Sequence, residues 1–120
     1  MKKIILSLFF LTILQTVIIA SEISLSADNH ILQISSAKLA KVGRNVFRKK
    51  LRKVCGFTGA RFAHMHTQNE WQKLKEEGNF RVEIYKICPK TTTVLKDNWV
   101  EPLYEFSKAY ASDSGKFPSC

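Results

Sequence analysis

Near the carboxyl end, Leu95, Trp99, Leu103, Phe106 and Tyr110 recur at i, i+4, i+8, i+11 and i+15. That period lines five large apolar side chains along one stripe of a helix, whereas a strand would send them to both faces. A stripe four turns long must be buried against another layer, so this part of the chain is committed to a helix-packed core. Pro102 falls inside the pattern. Proline is tolerated near a helix start, where its missing N–H is not needed, so the hydrogen-bonded helix is expected from Asn98 or later. Gly115 and Pro118 close the element.

The same period appears twice upstream. Phe47, Leu51, Val54 and Cys55 fall at i, i+4, i+7 and i+8, and Gly56 is placed to end that helix. Thr67 followed by Glu70 has the capping-box spacing, in which each side chain satisfies the other residue's free backbone N–H. A helix is expected from there to Glu77, burying Trp71 and Leu74, with Gly78 as its stop. Phe80, Ile84, Ile87 and Cys88 again read as a helix face, although Phe80, Val82 and Ile84 also fit a strand, and Pro89 ends either one. Trp71, Trp99, Phe106 and Tyr110 read as core. Residues 56–66 read as a glycine-punctuated connector. Residues 22–36 alternate at Ile23 and Leu25 and carry turn chemistry at Ser26-Ala27-Asp28-Asn29, which suggests an extended or β-hairpin arm.

The amino end has a different character. Lys2 and Lys3 precede an apolar run from Ile4 to Ile19, and the small Ala20 is followed by the polar Ser21 and Glu22. This is the order of a cleavable secretory signal. The run of 16 residues is shorter than the roughly 20 that span a bilayer as a helix. Cleavage near Ala20 would lower the formal net charge from +9 to +7 by removing Lys2 and Lys3. The expected organisation is a signal peptide over 1–20, an arm over 21–36 and a helical domain over 37–120. The last is a mostly α, three- or four-helix, disulfide-tied domain, periplasmic or secreted.

In an oxidising compartment cysteines are first read as disulfide partners. Of Cys55, Cys88 and Cys120, the expected pair is Cys88–Cys120, since an end residue frays unless tied down. Such a bridge would close a loop of roughly 33 residues and contribute about 3–4 kcal/mol on the loop-entropy model. Cys55 is the alternative partner of either. The leftover thiol would be buried, capped or used to form a disulfide-linked dimer in place of a monomer.

Chemistry-bearing motifs are sparse. His64-Met65-His66 has the H-x-H form that can ligate zinc or copper from an extended segment, with Cys55, Cys88 or His30 completing the set. Non-covalent haem on His64, Met65 or His66 is a related option. Covalent haem attachment needs C-x-x-C-H, and Cys55 is followed by Gly56, Phe57 and Thr58. A Cys55–His64 or Cys55–His66 thiol–imidazole pair lacks an activating context. Paired carboxylates at catalytic spacing and a glycine-rich phosphate loop are both missing from the sequence, so no cofactor and no catalytic residue are expected, and a non-enzymatic role follows.

The most pronounced feature is charge. From Lys38 to Lys53 the chain is dense in Lys and Arg and contains no acidic residue. Lys41, Arg44, Arg48, Lys49, Arg52 and Lys53 form a basic face suited to an acidic protein partner or an anionic lipid surface. Nucleic acid is not expected, because export removes the usual ligand and the connector aromatics do not alternate with the charges.

Three segments, VCGFTGARFAHMHTQNEW (Val54–Trp71), KICP (Lys86–Pro89) and YASDSGKFPSC (Tyr110–Cys120), resemble small periplasmic proteins of Campylobacter-like bacteria described as cytochrome c-like. The resemblance covers roughly Lys50 to Cys120. It implies a helical periplasmic protein near respiratory electron transfer. The haem-attachment motif of that group is missing here, so its haem ligands carry over to no residue. A binding or structural domain is therefore the expected function, with a cytochrome c-like or metal-binding accessory as the alternative.

Overall fold

Residues 29–118 are described in a computed structural model, in which the chain divides into two units, Met1–Ile34 and Ser35–Cys120. The expected signal peptide and residues 21–28 of the arm lie outside the described residues. Within the first unit, residues 29–34 are helical, and Ser35 and Ser36 of the second are helical too. This corrects the extended or hairpin reading for that part of the arm. Residues 29–36 contain neither Gly nor Pro, so nothing in them breaks a helix.

The second unit begins with α1, helical over residues 35–46, widened by a π turn at Phe47–Leu51 and finished by an α-helical turn, Arg52–Cys55. Across the π turn the Arg52 N–H bonds to the Phe47 carbonyl, one residue further back than in an α-helix. Phe47 and Leu51 stay buried on the inner face while Arg48, Lys49 and Lys50 between them face water. Gly56, at φ +77°, ends the helix in the left-handed conformation that favours glycine.

A short helix, α2 (Gly59–Ala63), follows, then α3 (Gln68–Glu76), α4 (Phe80–Ile87), a 3₁₀ turn (Pro89–Thr93) and α5 (Asp97–Ala109). Among the described residues there is no strand. Thr58 starts α2 by accepting the Arg61 N–H on its hydroxyl. The capping box of α3 forms as its sequence requires: the Glu70 N–H donates to Thr67 and the Thr67 N–H to Glu70 Oε2. In α4, Phe80 and Ile84 are buried while Val82 is exposed, which resolves the helix–strand ambiguity in favour of the helix. α5 starts at Asp97, a residue earlier than expected, with Pro102 as its sixth residue. The one hydrogen bond that proline forgoes is tolerated because the buried ring packs.

The core is a chain of aromatic rings. Phe47 lies 5.1 Å from Phe62, Phe62 5.5 Å from Trp71, Trp71 5.6 Å from Phe80, and Phe80 5.6 Å from Tyr104. Pairs at such separations contribute roughly 0.5–1.5 kcal/mol each beyond their area. Phe106 is fully buried, and Trp99 and Tyr110 pack against the cluster from its edge. The indole of Trp71 donates to the Ala63 carbonyl at 2.9 Å, so its burial leaves no polar atom unpaired.

Cys55 is bonded to Cys88, which corrects the expected Cys88–Cys120 pair. The end of α1 and the end of α4 meet with the two Cα atoms 5.4 Å apart, inside the range a disulfide needs. Cys120 lies outside the described residues.

Candidate binding face

Gly56 turns the chain back so that Phe57 and Thr58 lie beside the last turns of α1. Arg48, Arg52, Lys53, Gly56, Phe57 and Thr58 line an open groove of about 470 Å³. The Phe57 ring is half-buried, in contact with Phe47 at 6.2 Å between centroids on its inner side. The Arg61 guanidinium stands 5.6 Å from the centre of the same ring, a cation–π separation. Arg48, which is exposed, donates one hydrogen bond to Asn45 Oδ1 at 3.2 Å. The groove therefore presents two guanidinium groups and one ammonium beside a phenyl ring, with Arg61 near that ring but outside the lining.

Of the basic residues expected to form a binding face, Arg48, Arg52 and Lys53 are brought together here. Lys49 and Lys41 are exposed on the same helix but do not line the groove, and Arg44 is half-buried. Phe57, Thr58 and Arg61 were not legible as part of the face. Their signal was Gly56, whose left-handed conformation decides which way the chain leaves the helix.

The charge distribution sharpens the picture. Residues 29–69 contain nine Lys and Arg and no Asp or Glu, while residues 70–118 contain eight of each sign. Four Lys or Arg ion pairs, Lys73–Glu77, Lys75–Glu101, Arg81–Asp97 and Lys86–Glu83, lie within the balanced part. Arg52 and Lys53, at the carboxyl end of α1, are also placed to favour the helix dipole, a role that leaves their heads in water.

The other candidate ligands are separated. His64 and His66 lie in a turn, not the extended segment that would aim both to one side. His64 packs edge-on to Phe117 at 5.2 Å. His66 stands edge-on to Trp71 at 4.6 Å, its Nε2–H donating to Glu83 Oε1 at 2.8 Å, with Nδ1 3.7 Å from Glu70 Oε2. Met65 is exposed between them. Cys55 and Cys88 are joined to each other, and among the described residues no group of three His, Cys, Asp or Glu is placed to hold a metal. The carbonyl of His66 accepts from both the backbone N–H and the hydroxyl of Ser112, so this turn fastens the segment after α5. The same disulfide settles the thiol–imidazole option, since a bridged Cys55 has no free thiol.

Among the described residues no helix is long and apolar enough to cross a membrane. Comparison with protein-family models, with curated proteins and with solved structures finds no match to this chain.

Proposed function

We propose that this is an exported, non-enzymatic binding domain that docks an acidic protein through the basic face of α1. The observation that carries the reading is the charge segregation: nine cations without one acidic neighbour in sequence over residues 29–69, against a balanced remainder. A soluble fold has no need of such segregation, because interspersed charges keep a surface hydrated equally well. The Cys55–Cys88 bridge suits an oxidising compartment. A concave groove suits a protruding chain better than the flat headgroup layer of a bilayer, which favours protein over lipid.

The test uses the disulfide-intact protein and a fluorescein-labelled oligoglutamate, read by anisotropy. Binding is expected to weaken at least tenfold as salt rises from about 0.05 to about 0.5 M, because exposed charges are screened. Reversal of Arg48, Arg52 and Lys53 to Glu is expected to abolish it. The same reversal at Lys86, Lys90 and Lys116 should leave most of it. Equal loss in both triple variants, or binding to phosphatidylglycerol vesicles with none to the peptide, would overturn the proposal.

A further inference from the structure

The groove has a feature that charge attraction by itself does not use, namely the half-buried Phe57 ring in its lining. Resting on the basic-face reading, we infer that the groove lined by Arg48, Arg52, Lys53, Gly56, Phe57 and Thr58 binds an extended acidic peptide segment in which one apolar or aromatic side chain lies between carboxylates. Arg48 and Arg52 are one turn apart along the widened part of α1 and reach the groove from the same wall. A guanidinium matches a carboxylate through two parallel N–H bonds. The Arg61 guanidinium, outside the groove lining, stands 5.6 Å from the centre of the same ring. Carboxylates flanking a bulky residue would meet these cations while the bulky residue covers Phe57.

Two smaller observations agree. A Cβ at Gly56 would meet nothing within 4 Å, so the groove wall there is bare backbone that an extended chain can approach closely. The Thr58 hydroxyl accepts from the Arg61 N–H, which leaves its own proton free to donate to a peptide carbonyl. The groove's volume of about 470 Å³ falls in the range of small binding sites and admits one aromatic side chain with its neighbours, not a folded surface.

The experiment compares two labelled peptides on the disulfide-intact protein: oligoglutamate, and the same peptide with its central Glu replaced by Phe. Electrostatics predict that the second, carrying one charge fewer, binds more weakly. Seating of its ring on Phe57 predicts binding about tenfold tighter, the order expected for burying a phenyl group. Phe57→Ala should erase that advantage and leave oligoglutamate binding within about twofold. Because Phe57 also touches Phe47, Arg52→Gln gives an independent arm on an exposed residue, and it should weaken both peptides. Circular dichroism verifies the fold of each variant. If oligoglutamate binds and the Phe-containing peptide gains nothing, or its gain survives Phe57→Ala, the inference fails and the basic-face reading stands. If neither peptide binds, both fall together.

Discussion

Where α1 crosses α5, position 43 has room only for hydrogen. A Cβ built on Gly43 would lie 1.9 Å from the Pro102 carbonyl oxygen and 2.8 Å from the Phe106 Cβ. Both neighbours belong to a buried stretch of helix that cannot swing aside. Alanine is intrinsically better than glycine inside a helix by about 1 kcal/mol, while forced overpacking costs about 1–3 kcal/mol and occasionally more. With a backbone oxygen that close the cost falls at the upper end, about 3 kcal/mol, so Gly43→Ala is expected to lose about 2 kcal/mol net in a urea titration, and a gain would show that the helices part easily. At Glu70 the expectation concerns pH. The backbone N–H of Thr67 chiefly, then its side chain, with help from His66, hold this carboxyl below its ordinary value. A carboxyl whose value is lower in the folded than in the unfolded state stabilises above the unfolded value and loses that contribution as pH falls through the folded one. Glu70→Gln should thus melt lower than wild type at neutral pH, and the two melting curves should converge below the ordinary carboxylate range.

At the level of elements, the helices were legible because core contacts recur at helical spacing and because Thr67, Glu70, Gly56 and Gly78 punctuate them. α2 was not. Five residues, two of them alanine and one glycine, carry no stripe, and their helix depends on the Thr58 cap and on Phe62 entering the core. The groove was equally hidden, since it forms only when the turn at Gly56 returns Phe57 to α1. The disulfide escaped for a numerical reason: Cys55–Cys88 and Cys88–Cys120 are separated by 33 and 32 residues, so chain entropy cannot rank them. What decides is that α1 and α4 both end at the same place. Replacing Cys55 and Cys88 together by Ser is expected to cost about 3–4 kcal/mol, measured against wild type by chemical denaturation. Dithiothreitol should bring wild type close to the double variant.

Taken whole, the molecule is electrically lopsided. Residues 70–118 carry local ion pairs, and most cations of residues 29–69 are exposed, so the summed field draws anions toward α1 before any contact is made. The covalent bridge divides the molecule along a different line. It makes a ring of the chain from Cys55 to Cys88, containing α2, α3 and α4, and leaves α5 and nearly all of α1 outside. A protease that nicks the exposed Arg61 or Lys73 opens the ring but releases nothing, and the two pieces travel together until a reductant frees them. A cut at Lys96 detaches the α5 piece covalently at once. Tolerance of a backbone cut is thus distributed unequally along this polypeptide: damage within the ring leaves one covalent molecule, and damage beyond it does not.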